Sequence, residues 1–362
     1  MKSYVIGVDL GGTKIATAVM DREGKIKGKN IELTQILGGP EVVIGQMIRM
    51  TRLTLSKAKV GLSQIKGIGI GAAGPLNIKT GIIITPPNLP GWHNVQLIRP
   101  FQKEFKTPVF LDNDANAAAL GEWKFGAGRG CKNMVYLTIS TGIGGGIIIG
   151  GKLYRGTNYN AGEIGHMTID PEGPLCGCGN RGCLEAHSSG TAIARWAREA
   201  LSKDRRRRTG IVNSQQSIVN SPQRTKKTMD YGLWTKKKRQ KIKGSGSLIL
   251  ELAKGDLKKV SAELVFQAAK KGDRKALEVV RKSAEFLGIG VANVINVFNP
   301  QRVVLGGGVT KAGSLLFKPV REVAYKRAMP ALAKVVEIVP AKLGDDVGII
   351  GAATLVLTED RR

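Results

Sequence analysis

A strand–glycine–strand pattern occurs once in each half of the sequence and constrains the fold more than any other feature. Residues 4–10 (YVIGVDL) predict a buried strand, Gly11-Gly12-Thr13 a tight turn, and residues 14–20 the returning strand. The pattern recurs over residues 134–149, with a glycine-rich turn at 141–146. Two such hairpins predict two related lobes that face a shared ligand.

Predicted strands and helices alternate along the rest of the chain. Apolar runs predict further strands at 67–70, 108–111 and 302–305. Helical composition predicts helices near 40–58, 113–125 and 190–201, from 248 past 292, and from about 347 onwards. This alternation is typical of an α/β protein.

A basic segment at residues 203–247 does not follow this pattern. The whole chain has a formal net charge of +28, and fourteen basic side chains lie between Lys203 and Lys243. Blocks of like charge repel each other and stay solvated. The composition therefore predicts a disordered surface insertion. The alternative is a nucleic-acid tether, because Tyr231 and Trp234 could stack on bases.

The sequence also indicates the protein's compartment. No apolar run approaches the ~18 residues of a membrane helix, and the residues before Asp9 are too few for a signal peptide. Four cysteines in a chain of 362 residues do not form a disulfide framework of the secreted type. We expect a soluble, reduced, cytoplasmic protein with no membrane partner.

The glycine turns predict a site for phosphate groups. Glycines let the backbone approach phosphate oxygens, and successive N–H groups form an anion-binding nest. Thr13 and Thr141 add hydroxyl donors, and Asp9 could hold Mg²⁺ through water. The alternative is two ordinary hairpins, but a third glycine run at 306–308 favours a nucleotide site. The predicted ATP- and phosphate-binding residues are Asp9, Gly11, Gly12, Thr13, Lys14, Thr141, Gly142, Gly144, Gly306, Gly307 and Gly308.

Three cysteines crowd into eight residues and predict a structural zinc site. Cys176, Cys178 and Cys183 are separated by glycines, so three thiolates can wrap around one ion. Zn²⁺ needs a fourth ligand, and the spacing leaves His166 and His187 open. The alternative is a chance cluster of reduced cysteines. Cys131 stands apart and is interpreted as a small buried hydrophobe.

Four motifs together resemble the ROK family of sugar kinases and repressors, and within it the bacterial glucokinases. They are Asp9-Leu-Gly-Gly-Thr-Lys14, Asn113-Asp114-Ala, Gly162-Glu-Ile-Gly-His166, and Cys176-Gly-Cys-Gly-Asn-Arg-Gly-Cys-Leu-Glu185. The resemblance covers nearly the whole chain outside residues 203–247. It implies an actin-like (ribonuclease-H-like) two-lobed fold with the sugar and ATP in the cleft. We expect a small lobe at 1–112 with the helix at 347–362 packed back on it, and a large lobe at 113–346 that carries a zinc loop at 166–183.

The resemblance also implies roles for single residues. Asp114 is the implied general base, although with Asp112 and Asn113 it could instead cap the following helix. His166 becomes the fourth zinc ligand as well as a sugar ligand, and Gly306 to Gly308 match adenosine-binding glycines. The implied sugar-binding residues are Gly74, Asn88, Asn113, Glu163, His166 and Glu185.

The implied function is ATP-dependent phosphorylation of glucose at its 6-hydroxyl, with ATP, Mg²⁺ and a structural Zn²⁺. A kinase for fructose or N-acetylmannosamine is one alternative, since pocket shape decides between hexoses. The other is a sugar-responsive repressor, which would carry a helix-turn-helix ahead of the first hairpin, where this sequence has three residues. We expect a homo-oligomer without a specific nucleic-acid partner, although the basic segment can bind polyanions nonspecifically.

Overall fold

The computed structural model describes residues 3–86, 88–209 and 247–359. The strands are β1 (Tyr4–Leu10), β2 (Lys14–Asp21), β3 (Ile26–Leu33), β4 (Ile65–Ala72), β5 (Leu76–Asn77), β6 (Ile82–Ile83), β7 (Val95–Gln96), β8 (Val109–Asn113), β9 (Met134–Ile139), β10 (Ile143–Ile149), β11 (Lys152–Tyr154), β12 (Arg302–Gly306) and β13 (Glu337–Pro340). The helices are α1 (Gly39–Ala58), α2 (Ile98–Phe105), α3 (Asp114–Phe125), α4 (Leu184–Ser188), α5 (Gly190–Thr209), α6 (Leu248–Leu252), α7 (Ala262–Lys270), α8 (Arg274–Phe298), α9 (Ser314–Arg327), α10 (Pro330–Ala333) and α11 (Val347–Glu359).

Two five-stranded sheets share one topology. Their orders are β3-β2-β1-β4-β8 and β11-β10-β9-β12-β13. In each sheet the first three strands pair antiparallel and the last two join in parallel. Each predicted hairpin forms the middle of one sheet, so the α/β class and the repeated hairpin are confirmed. A small sheet, β5-β6-β7, follows β4.

Helix α11 packs on the first sheet with almost no space between the backbones. A Cβ at Gly7 in β1 would collide with the Ile349 carbonyl oxygen, and one at Gly69 in β4 with that of Ala352. On its other side, a Cβ at Gly351 would collide with the Ala117 carbonyl oxygen of α3. Only glycine permits these approaches. The helix is therefore held between β1, β4 and α3.

The chain divides into two compact units, one of Met1–Ile193 with Val280–Arg362 and one of Ala194–Val279. Both five-stranded sheets belong to the first unit. In the second unit, Asp273 accepts hydrogen bonds from Ser247 Oγ and the Leu248 N–H, at 2.9 and 2.7 Å. Among the described helices, none combines the length and the apolar character that crossing a membrane requires.

Two parts of the fold differ from the sequence expectations. Helix α5 continues to Thr209 instead of ending near Leu201, because lysine and arginine are good helix formers and suit a helix C-terminus. The rest of the predicted basic insertion, at 210–246, lies outside the described residues. The edge strands β3 and β13 were not predicted, since β3 is polar along much of its length and β13 has four residues.

Candidate active site

The backbone of the turn between β1 and β2 is held by hydrogen bonds within the turn and to Thr34. The Gly11 N–H donates to the Lys14 carbonyl at 3.0 Å, and Thr34 Oγ1 donates to the Gly11 carbonyl at 2.7 Å. The Thr34 N–H donates to the Thr13 carbonyl at 3.0 Å. The Thr13 and Lys14 side chains are exposed. The turn is therefore fixed in place while its donors stay accessible to a ligand.

The first glycine turn also touches the loop that carries Asn88. A Cβ at Gly12 would collide with the Asn88 carbonyl oxygen, so this close approach requires glycine. Asn88 itself is exposed. A predicted sugar-binding residue therefore lies against the first predicted phosphate turn.

Asp9 is the last but one residue of β1 and faces the first turn of α11. A Cβ at Gly348 would collide with the Asp9 carboxylate, so the helix N-terminus approaches the acid closely. The pKa of Asp9 is raised from 3.8 to about 7, chiefly because burial disfavours the charged form and also because of the nearby charge of Asp114, while the charge of Lys14 opposes the rise. A carboxyl in this position is ready to ionise when a cation binds beside it.

The junction between β8 and α3 presents Asn113 and Asp114. Asn113 Oδ1 caps α3 by accepting from the Ala115 and Asn116 N–H groups at 2.8 and 3.4 Å. Asp114 Oδ1 also accepts from the Ala115 N–H, at 2.8 Å. A Cβ at Gly74 would lie 3.4 Å from Asn113 Nδ2, so Gly74 borders that amide. Asn113 is therefore the N-cap of α3, and Asp114 adds a second acceptor for the Ala115 N–H in the first turn.

The Asp114 carboxyl is open to solvent on one side and closely surrounded by protein on the others. This loss of hydration raises its pKa above the ordinary value, although the hydrogen bond from the Ala115 N–H opposes the shift. A carboxyl with a raised pKa is a stronger base once it has ionised. The geometry suits proton abstraction from a bound hydroxyl.

The second glycine turn, between β9 and β10, holds Glu185 of α4. Glu185 Oε2 accepts from the Ile143 N–H at 2.8 Å, and a Cβ at Gly142 would collide with the same carboxylate. Thr191 Oγ1 donates to the Thr141 carbonyl at 2.8 Å. The turn is therefore anchored to the start of two helices, α4 and α5.

The same hairpin also packs on helix α3. A Cβ at Gly144 would lie 3.0 Å from the Ala115 Cβ, one residue after Asp114. The hairpin of the second sheet thus comes beside the carboxyl that follows β8 of the first sheet.

Glu163 immediately precedes a short 3-10 helix, Ile164–His166, and His166 is the last residue of that helix. Burial raises the pKa of Glu163, the charges of Asp114 and Glu185 raise it further, and His166 lowers it. His166 Nε2 lies 3.9 Å from Glu163 Oε2. A carboxyl influenced by two others, beside an imidazole and an amide, makes a polar site suited to a ligand with several hydroxyls.

The third glycine run ends β12. Gly307 has a φ of +88°, and a Cβ there would collide with the Ile139 carbonyl oxygen at the end of β9. A Cβ at Gly308 would meet no atom within 4 Å. Gly306 to Gly308 thus lie at the same edge of the second sheet as the turn at Thr141.

The three thiols and His166 form one compact cluster. Their ligand atoms all lie within 4.8 Å of one another. Cys176 Sγ lies 3.6 Å from His166 Nδ1, and Cys178 Sγ lies 3.7 Å from Cys183 Sγ. A tetrahedron with Zn–S bonds of ~2.3 Å has edges of about 3.8 Å, so this donor set fits Zn²⁺.

The other two histidines lie elsewhere. His187 is buried with its ring 3.9 Å from that of Phe286, and its Nε2 lies 3.8 Å from Asp170 Oδ2. His93 is exposed. Of the two histidines that the spacing left open, the structure therefore places His166, and not His187, with the thiols.

Two features beside the site were missed by sequence reasoning. One is a buried ion pair between Asp112 and Arg155, and the other is the glycine of α11 that faces Asp9. An aspartate in a buried strand signals that a cationic partner exists, but nothing in the sequence identifies that partner. The position of Gly348 carries no such signal.

Comparisons with known proteins agree with this architecture. The ROK family matches residues 5–359. The chain is 38% identical over 355 residues to a glucokinase of Thermotoga maritima, covering 98% of each chain. It is 30% identical to the xylose repressor of Caldicellulosiruptor bescii, covering 98% of this chain and 78% of the repressor.

A solved structure is also similar along nearly the whole chain. The ROK family glucokinase from Streptomyces griseus, in complex with glucose and AMPPNP, superimposes with a TM-score of 0.74 at 31% identity. The match covers 97% of this chain and 98% of the other. The chain therefore belongs to the ROK family and has the two-lobed, actin-like fold of its sugar kinases.

Proposed function

We propose that this protein transfers the terminal phosphoryl group of ATP to the 6-hydroxyl of glucose. The observation that carries the proposal is the group of three carboxyls, Asp114, Glu163 and Glu185, beside the two glycine turns. The glucokinase relatives and the Streptomyces griseus complex with glucose and AMPPNP support the same activity. Phosphoryl transfer needs positioning, charge neutralisation and one base, and this site offers a group for each.

In this proposal Asp114 accepts the proton of the sugar hydroxyl that attacks ATP. Its raised pKa strengthens it as a base. The Oδ1 atom of Asn113 already accepts the capping hydrogen bond of α3. Its Nδ2 group is therefore the part that donates to the sugar. Glu163, Glu185 and His166 hold the other hydroxyls, with Gly74 and Asn88 at the border of the pocket.

The phosphates of ATP lie against the two glycine turns, where backbone N–H groups and threonine hydroxyls donate to their oxygens. The nucleoside lies near Gly306 to Gly308, where Gly308 leaves open space. Mg²⁺ would neutralise phosphate charge there, and Asp9 is the residue that would hold it through water. The charge of Lys14 lowers the pKa of Asp9, which favours the ionised form that a cation needs.

We also propose that His166, Cys176, Cys178 and Cys183 hold a structural Zn²⁺. Coordination through His166 Nδ1 leaves Nε2 directed toward Glu163 and the sugar. The ion would therefore fix the orientation of a substrate ligand as well as the loop. Reduced thiols are consistent with a cytoplasmic location, which is part of the proposal.

The limits of the two lobes, at 112/113 and 346/347, and a homo-oligomeric state also belong to the proposal. A sugar-responsive repressor is the second candidate, because the xylose repressor of Caldicellulosiruptor bescii is 30% identical over 98% of this chain. The two candidates differ in catalytic turnover: a kinase phosphorylates its sugar, whereas a repressor needs only to bind it.

The test is an assay of the purified protein with MgATP and a panel of hexoses. We expect glucose to give the highest kcat/KM and a 6-phosphate product. Polar groups that become buried under the bound sugar discriminate between sugars, since each one left unpaired costs ~1–3 kcal/mol. An equal or higher kcat/KM for fructose or N-acetylmannosamine would refute the choice of sugar but not the kinase. No turnover with any hexose would favour the repressor.

A further inference from the structure

A buried ion pair connects the two segments that carry the proposed base and a proposed sugar ligand. Arg155 Nε donates to Asp112 Oδ2 at 2.6 Å. The Arg155 side chain is 8% exposed and that of Asp112 is 0% exposed. Neither residue was among the predicted site residues, and neither has a part in the proton transfer described above.

Asp112 fixes the backbone immediately before the proposed base. Its Oδ1 accepts from the Asn113 N–H at 2.8 Å and from Asn116 Nδ2 at 2.9 Å. Asn116 is itself buried and belongs to the first turn of α3. The carboxylate therefore holds both the end of β8 and the start of α3, between which Asp114 lies.

Arg155 begins the loop that leads to Glu163. It follows β11, and its carbonyl accepts from the Ala161 N–H at 3.0 Å, which closes the loop on itself. The next residue, Gly162, has a φ of +100°, and a Cβ there would lie 2.7 Å from the Gly145 carbonyl oxygen. The guanidinium thus fastens the Glu163 segment to the strand that ends at Asn113.

Stability alone does not explain this pair. Removing two charges from water costs as much as their attraction returns, so apolar side chains of similar size stabilise a fold equally well. A charge-assisted hydrogen bond of 2.6 Å differs from apolar packing in that it fixes direction and distance. An ion pair in this position is therefore suited to setting a geometry.

We propose that Asp112 and Arg155 are positioning residues that set the distance between Asp114 and Glu163. The inference rests on the proposed function, because it assigns the sugar to the space between those two carboxyls. Small displacements in such a site are costly, since a shift of ~1 Å in a reacting group can lower a rate about 10²-fold.

The test compares Arg155→Gln, Arg155→Lys and the double variant Asp112→Asn/Arg155→Gln with the wild type. We expect Arg155→Gln to lower kcat/KM for glucose about 10²-fold, through both kcat and KM, with the KM for ATP changed less than about twofold. Arg155→Lys restores part of the loss because it keeps the charge. The double variant removes the unpaired buried charge, so it regains stability but not activity.

The matched control is Glu122→Gln, which alters a buried carboxylate of α3 outside the Asp112–Arg155 pair. Glu122 accepts from the backbone N–H groups of Ala127, Lys342 and Leu343 at 2.7 to 3.1 Å, and it has no part in the proposed site. This variant should unfold at a lower temperature and keep wild-type kcat and KM when folded. A kinetic loss as large as that of Arg155→Gln would show that any buried charge in α3 has the same effect, and would overturn the inference.

Amide hydrogen exchange gives a second measurement that does not require turnover. We expect Arg155→Gln to increase exchange at residues 112–116 and 155–163 together, and at neither segment alone. Wild-type kinetics and wild-type exchange in a folded Arg155→Gln protein would refute the inference. An inactive wild type would instead refute the proposed function, and the exchange pattern would still decide whether the two segments are coupled.

Discussion

Replacing Asp9 with asparagine should stabilise the ligand-free protein while weakening its use of MgATP. The Asp9 carboxyl has lost most of its hydration, is influenced by the charge of Asp114 and has a pKa raised to about 7. Its charged form is therefore disfavoured in the folded state. Asparagine has the same shape and no charge, so it removes this cost.

The size of the effect follows from the pKa difference. A folded-state pKa above the unfolded value means that the acid contributes its full stability below pH ~4 and that this contribution is lost as the pH rises through ~7. A shift of about 3 units, at 1.36 kcal/mol per unit, corresponds to roughly 4 kcal/mol above pH ~7. Asp9→Asn should regain most of this free energy at pH ~8 and little of it near pH ~4.

Thermal unfolding of both proteins between pH ~5 and ~8.5, without nucleotide or metal, measures this difference. We expect the advantage of Asp9→Asn to grow with pH up to ~7 and then to level off. Adding MgATP should stabilise the wild type more than the variant, because the cation favours the ionised carboxyl. Equal unfolding temperatures at every pH would refute the reasoning.

Asp345→Asn is the matched control for this experiment. Asp345 is exposed and its ion pair with Lys311 holds its pKa below the usual range. A carboxyl whose pKa is lowered by folding stabilises the protein at pH values above its unfolded-state pKa. The variant should therefore lose a little stability at neutral pH instead of gaining it.

Three further predictions concern the proposed site and the basic segment. Asp114→Asn should lower kcat by 10²–10⁴ with folding and glucose binding retained, and a kcat above about a tenth of wild type would refute the base assignment. Serine at Cys178 or Cys183 should release zinc and weaken glucose binding, measured by metal analysis and calorimetry; wild-type protein without zinc would contradict this. Deleting Arg205 through Lys243 should leave glucose phosphorylation unchanged and reduce salt-dependent binding to polyanions, and a misfolded deletion variant would show that the segment packs.

Local patterns predicted the centre of each sheet but not its edges. The hairpins at β1–β2 and β9–β10 combine apolar runs with glycine turns. Each of these two patterns is visible within about ten consecutive residues, so the sequence alone predicts them. Strand β3 carries Lys27, Lys29 and Asn30 and has no such pattern. It forms because β2 offers it a full set of backbone partners, which is a property of the assembled sheet.

The residues around the candidate site show the same division. The spacing of Cys176, Cys178 and Cys183 already indicated a metal, because all three lie in one short loop. The choice of His166 over His187 depends on how the chain folds back on itself. The pairing of Asp112 with Arg155 joins residues 43 positions apart, and no local rule selects one arginine among many.

The close packing of α11 on β1 has a consequence for how the chain folds during synthesis. The strand begins at Tyr4 and the helix that covers it begins at Val347. At 5–20 residues per second, a ribosome needs roughly 20–70 s to make the intervening chain. During that time the faces of β1 and β4 that receive the helix stay uncovered, and the carboxyl of Asp9 has no helix N-terminus in front of it. The nascent first sheet therefore exposes apolar surface that chaperones bind, and the part of the proposed site around Asp9 forms only after almost all of the chain has been translated.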